Sequence, residues 1–125
     1  VMNERVTGDA VLVSGGLDSA VLTAEIASRG GPTTPLYIRT HLGWEREELA
    51  CLERFLAGIA RPNLSPLVVL ELPVKDLYGE HWSLTGAIPD AAAPDEAFYL
   101  PGRNVILLSK ALLWCRLHGV ARLSM

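Results

Sequence analysis

The sequence predicts an α/β domain with a doubly wound, Rossmann-like parallel sheet, and three observations predict it. A short β-branched apolar run, Ala10-Val11-Leu12-Val13, leads straight into Ser14-Gly15-Gly16. Apolar residues at helical spacing begin immediately afterwards, at Leu17. The same alternation of strand-like and helix-like segments then continues to the end of the chain, which is the pattern of a parallel sheet with helical crossovers. At 125 residues there is material for one domain. A chain of that size buries roughly two-thirds of its unfolded surface. Half of the residues are hydrophobic and 20% are charged, which excludes disorder as the dominant state.

Each element has its own signal. The run at 10–13 has no helical period and is bounded by glycine, as a buried parallel strand would be. Leu17, Ala20, Val21, Ala24 and Ala27 then recur on a helix that Arg29-Gly30-Gly31-Pro32 stops. Pro35-Leu36-Tyr37-Ile38-Arg39-Thr40 reads as a second strand. A helix over 44–60 places Leu49, Leu52, Phe55, Leu56 and Ile59 inside, with Glu45, Arg46, Glu47, Glu48, Glu53 and Arg54 outside; its early glutamates suit the helix dipole. Residues 67–72 form a third strand and 74–78 a helical turn. The nineteen residues 79–97 carry little regular patterning, which in so compact a chain marks a functional lid or a mobile loop. A helix over 104–118 closes at Gly119, and 120–125 begins another strand.

Charge and composition narrow the partners. Eleven basic against fourteen acidic residues give a net charge of -3, with no cationic footprint for duplex DNA. Residues 1–8 read as a disordered or ragged tail without the layout of a secretory signal. The densest apolar run, 105–115, is interrupted by Ser109 and Lys110 and is too short to span a bilayer. These features predict a soluble, cytoplasmic protein without a membrane partner. Cys51 and Cys115 match no metal-ligand spacing and read as reduced, buried thiols.

The chemistry concentrates in Ser14-Gly15-Gly16-Leu17-Asp18-Ser19. Two glycines let backbone approach a ligand without Cβ collisions. The helix that follows aims its unpaired amides and positive dipole end at the same spot, while Ser14 and Ser19 add hydroxyls. In open parallel sheets, ligands bind beyond the carboxyl ends of the strands, where this turn must lie. The hexapeptide is neither a Walker A loop, since no lysine follows the second glycine, nor the dinucleotide fingerprint. A plain capped turn would use Asp18 or Ser19 only to close the helix.

The hexapeptide resembles the Ser-Gly-Gly-x-Asp-Ser signature of the PP-loop (N-type) ATP pyrophosphatases. The stretch Phe98-Tyr99-Leu100-Pro101-Gly102-Arg103-Asn104-Val105-Ile106-Leu107-Leu108-Ser109 is similar to the Val-Pro-x-Arg-Asn stretch of the ExsB-like 7-cyano-7-deazaguanine (preQ0) synthase family of queuosine biosynthesis, a tRNA-modification pathway. His81-Trp82-Ser83-Leu84-Thr85-Gly86 is similar to that family's Ser-x-Leu-Thr-like element. The resemblance covers most of 9–122 in the family's order. It implies an adenine nucleotide alpha hydrolase-like fold over 9–125, with ATP and Mg²⁺ as cofactors. It also implies a small carboxylate substrate, 7-carboxy-7-deazaguanine in the family, which is adenylated with loss of pyrophosphate. Ammonia or another nitrogen donor then carries it to the nitrile. Another PP-loop ligase, a sulfur-transfer enzyme acting on tRNA, and a non-catalytic nucleotide sensor are the competing readings. A homodimer is compatible with the sequence.

The nucleotide-binding candidates are therefore Ser14, Gly15, Gly16, Leu17, Asp18, Ser19, His41, Arg103, Asn104 and Lys110, with Asp18 and Arg103 in the catalytic roles. Arg103 sits at a helix start that disfavours a cation, which points to anion binding. Asp18 is compatible with holding Mg²⁺ or with capping its helix, and Asn104 with a cap or a substrate contact. Lys110 suits either the phosphates or its helix's solvent edge; His41 suits the ribose, the substrate or no contact at all. Tyr37 and Trp82 read as packing groups. In Arg39-Thr40-His41-Leu42-Gly43-Trp44-Glu45 only Gly43, with Glu48-Leu49 downstream, matches the family's Tyr-Gly-Gln-Arg-His-like stretch. The family's cysteine-rich zinc site and its later Asp-containing segment have no counterpart in these residues. The expectation is that this chain is the nucleotide-binding part of a longer protein, retaining weak nucleotide binding without complete turnover.

Overall fold

The computed structural model describes residues 7–14, 16–79 and 102–125. Among the described residues eight elements are found: β1 (Asp9–Leu12), α1 (Leu17–Ser28), β2 (Thr33–Arg39), α2 (Glu45–Gly58), β3 (Val68–Glu71), α3 (Lys75–Tyr78), α4 (Arg103–Leu117) and β4 (Arg122–Ser124). Each expected element among the described residues is present, with ends displaced by one or two positions. Gly15, most of the irregular segment at 79–97 and the similarity at 98–101 lie outside the described residues.

The four strands are parallel in the order β3-β2-β1-β4. Sequence order therefore runs outward from β1 to β3 and then jumps back across β1 to β4. Apolar side chains alternate across the sheet because strand side chains alternate. On one face Val11, Val13 and Tyr37 pack with Ile26 of α1 and Leu52 of α2. On the other, Ala10, Leu12, Leu36 and Ile38 pack against Leu107, Ala111 and Cys115, a four-residue repeat along α4. The doubly wound arrangement is thus realised with α1 and α2 on one face and α4 on the opposite one.

The register of β4 is fixed by charge as well as by the ladder. Asp9 and Arg122 are register partners, and the Arg122 guanidinium donates twice to the Asp9 carboxylate, at 2.9 and 3.1 Å. Such a fork imposes both distance and orientation. Thr7 and Gly8, expected in the ragged tail, are tied to the turn before β4: Thr7 N donates to Gly119 O, and Gly8 O accepts from Ala121 N and Arg122 N.

Several orientations differ from expectation. The inner face of α1 is Thr23, Ile26 and Ala27, whereas Leu17 and Val21 are exposed. Thr23 tolerates burial because its hydroxyl donates to Ser19 O at 2.7 Å, four residues back. Glu45, assigned to the outside of α2, is buried, and Glu48 is half-buried. Cys115 is buried as expected, but Cys51 is exposed, because the buried residues of α2 are Glu45 and Leu52 and Cys51 falls beside that face. Both thiols are free. Val69 on the edge strand β3 is also exposed.

Leu52 is the deepest α2 contact to the sheet. Leu52→Ala should cost about 2–5 kcal/mol through lost transfer energy and a residual cavity. Leu112→Ala, on the exposed side of α4, should stay within about 0.5 kcal/mol. Urea unfolding midpoints of the two variants check the contrast.

Candidate functional site

The reversal in strand order places β1 and β4 side by side, with the helix leaving β1 on one face of the sheet and the helix entering β4 on the other, and ligands of open α/β sheets bind at such a point. There a cavity of about 300 Å³ opens at the carboxyl end of β1. Leu12, Val13 and Ser14 form its floor, Asp18 and Ser19 at the start of α1 one wall, and Arg103 and Asn104 at the start of α4 another. Tyr37, Glu48 and Met125 complete it.

The turn into α1 is shaped by its serines. Ser14 N donates to Ser19 Oγ at 3.1 Å, Gly16 N to Ser14 Oγ at 3.3 Å, and Ser19 Oγ lies 3.3 Å from Gly16 O. The two hydroxyls, expected to serve a ligand directly, thus first hold the turn together. Gly16 has ordinary extended dihedrals (φ -81°, ψ 168°), so what it contributes is bare backbone rather than a left-handed conformation. Its carbonyl accepts the first bond of the helix from Ala20 N, leaving the preceding amides without a partner inside the helix. Asp18 makes no cap; the N-cap is Gly16, which has no side chain of its own to close the helix end. The Asp18 carboxylate is exposed at the cavity wall.

Opposite, α4 starts at Gly102, whose φ of 69° is left-handed and suits glycine. Asn104, considered as a cap, sits inside the first turn and caps nothing. Arg103, the first helical residue, has its Nε buried with no hydrogen-bond partner among the described residues. A buried donor without an acceptor is costly. This one lies on a cavity already edged by two helix N-termini, so an anionic ligand would satisfy it.

Sequence reasoning missed the acidic side of the cavity. Tyr37, read as packing, donates from its hydroxyl to Glu48 Oε1 at 3.0 Å. Burial, reinforced by the Glu48 and Glu45 carboxylates, holds the Tyr37 phenol far above its usual range. Burial also pushes the Glu48 carboxyl up, while the Tyr37 hydrogen bond and the Arg103 guanidinium pull it part of the way back. The available signal was the spacing of Glu45 and Glu48 on α2, which puts both on the helix face turned to the end of β2.

His41 and Lys110 are not brought into this cavity. His41 Nε2 lies 2.7 Å from Glu71 Oε2, at a left-handed φ of 64°, and Lys110 Nζ donates to the Glu71 backbone carbonyl. Arg39 links the same Glu71 to Glu45, at 3.7 and 3.6 Å. Glu45 Oε2 in turn accepts from Thr40 N, Thr40 Oγ1 and Leu42 N at 2.9–3.1 Å. This second network braces the β2–α2 connection. Leu17, expected at the nucleotide, is exposed at the first position of α1. Among the described residues no group of three or more His, Cys, Asp or Glu is arranged to hold a metal ion. No helix among them is long and apolar enough to cross a membrane.

Comparison with known proteins agrees with the motif reading. A family model described as "Queuosine biosynthesis protein QueC" matches residues 9–125. The chain is 35% identical over 113 residues to a 7-cyano-7-deazaguanine synthase of Xylella fastidiosa, covering 89% of this chain and 47% of that protein. It is 31% identical over 111 residues to the protein of that name from Novosphingobium aromaticivorans, covering 87% and 46%. It thus spans about half the length of the curated relatives it matches. The solved structure of NMN synthetase from Francisella tularensis aligns at a TM-score of 0.41 and 21% identity, over 71% of this chain and 34% of that one, too distant to carry an argument.

The raised Glu48 carboxyl has a stability consequence. Just above the ordinary glutamate value of about 4.3, the folded protein keeps a proton that the unfolded chain has released, so stability falls as pH rises through this window. Glu48→Gln should flatten that fall. Urea unfolding at a series of pH values measures it, and an unchanged slope would contradict the assignment.

Proposed function

The chain belongs to the QueC family, and on that premise we propose that it is the ATP-binding part of an enzyme that adenylates a carboxylate, as a preQ0 synthase would. The observation that carries this reading is the cavity between two helix N-termini, with the buried, unpartnered Arg103 Nε on its wall. The amides at the start of α1 would receive phosphate oxygens, and Arg103 would neutralise the departing pyrophosphate. The Asp18 carboxylate, exposed and uninvolved in capping, fits Mg²⁺ as a single protein ligand beside phosphate oxygens and water. When bound, Mg²⁺ would supply further positive charge to the phosphates.

The proposed chemistry needs no nucleophile from the protein. A substrate carboxylate oxygen attacks the α-phosphorus and pyrophosphate leaves. Ammonia then displaces AMP from the acyl carbon to give the amide; a second ATP would adenylate the amide oxygen with loss of pyrophosphate and a proton, and departure of AMP with a further proton would leave the nitrile. Holding carboxylate and α-phosphate in line is where the protein contributes most. The names of the relatives, 7-cyano-7-deazaguanine synthase, support 7-carboxy-7-deazaguanine as the acid and a role in queuosine biosynthesis.

Asp18→Ala and Arg103→Ala should each weaken binding of a non-hydrolysable ATP analogue, by about 1.5–3 kcal/mol where a charge-assisted contact is lost, with unfolding midpoints little changed. Calorimetric titration checks this, and unchanged affinity in both variants would remove the two residues from the site. ATP consumption should yield AMP and pyrophosphate; ADP and orthophosphate would overturn the proposal.

A further inference from the structure

The Glu48 carboxylate has no part in the phosphate chemistry above, yet it is built into the same cavity. It is half-buried, the Tyr37 hydroxyl donates to it at 3.0 Å, and the Trp44 side chain also hydrogen-bonds to it. Two aromatic donors on β2 and at the start of α2 therefore fix its orientation. Arg103 lines the same cavity, but among the described residues no ion pair joins it to Glu48. An ionised carboxylate offers about four acceptor positions, so two donors leave it with capacity for a ligand. Its distance along the fold from the glycine turn also matters: it follows β2, whereas the phosphate-binding groups follow β1 and precede α4.

We infer that Glu48, oriented by Tyr37, accepts hydrogen bonds from the ribose hydroxyls of the bound nucleotide. The inference rests on the nucleotide reading of this cavity and deepens it. In dinucleotide-binding sheets whose strand order also begins 3-2-1-4, an acidic group beyond the second strand takes the ribose hydroxyl while the turn after the first strand takes the phosphates. The present sheet has that order, and Glu48 stands on the β2 side of a cavity whose phosphate donors stand on the β1 side. A carboxylate repels phosphate but suits a neutral diol, so the cavity has an anion end and a hydroxyl end. Its partial desolvation strengthens each bond it accepts.

The test is calorimetric titration of the native protein, Glu48→Gln and Tyr37→Phe with ATP, with 2′,3′-dideoxy-ATP and with purine riboside triphosphate, which lacks the 6-amino group. The native protein should prefer ATP to the dideoxy nucleotide by about tenfold or more, the scale of hydrogen bonds to a charged group. Glu48→Gln should erase most of that preference while binding the dideoxy nucleotide as the native protein does. Tyr37→Phe should reduce the preference part of the way, and it carries the test if Glu48→Gln does not fold. A full preference retained in both variants, or equal losses for ATP and dideoxy-ATP, overturns the inference. So does loss of discrimination against the purine riboside nucleotide instead, which would assign Glu48 to the base. Native protein that binds no ATP at all contradicts the nucleotide reading itself, an outcome distinct from these.

Discussion

Parallel pairing of β1 with a neighbour on each side is the constraint on which the rest depends. Ala10 and Val11 are wholly buried because β2 and β4 flank the strand and helices cover both its faces. A parallel partner requires a crossover, so the connection to β2 carries α1 over one face. The route to β4 brings α4 over the other. Both helices thereby present their amino ends at the same edge of the sheet, where the strands' carboxyl ends also emerge. The cavity follows from that convergence, and the Asp9–Arg122 fork secures the outer strand that creates it.

The electrostatics of the cavity divide along the same lines. Amides at the start of α1, bare backbone at Gly16 and the Arg103 guanidinium make one end attractive to anions. Glu48, held by Tyr37 on the β2 side, makes the other end attractive to neutral donors. Glu45 and Glu71 lie beyond, engaged with Arg39, Thr40, Leu42, His41 and Lys110. Of the charged groups in this network only Glu45 is buried, and the three hydrogen bonds it accepts from Thr40 and Leu42 hold the β2–α2 connection, and with it Glu48, in place.

Much of this was legible in the sequence because it rests on local signals. A β-branched run before Gly15-Gly16, helical periodicity after it and a repeat of the pattern suffice for strands, helices and parallel topology. The turn at Ser14–Ser19 and Arg103 at a helix start announced themselves by chemistry unusual for their positions. What was not legible depends on long-range placement. Glu45 and Glu48 look like solvated helix glutamates until the end of β2 is laid against them, and Tyr37 looks like packing until Glu48 meets its hydroxyl. Conversely, His41 and Lys110 sit beside the expected nucleotide in sequence terms, but Glu71 on the neighbouring strand engages both. The inner face of α1 was misjudged because Thr23 hides its polarity in a bond to Ser19 O.

The central claim is that the anion end of this cavity holds the triphosphate of ATP. A structure of the protein with an α,β-methylene analogue of ATP tests it most directly. The account predicts phosphate oxygens on the amides at the start of α1 and within hydrogen-bonding distance of the Arg103 guanidinium. A nucleotide seated elsewhere, or one with its base at the Gly16 turn and its phosphates toward Glu48, would contradict it.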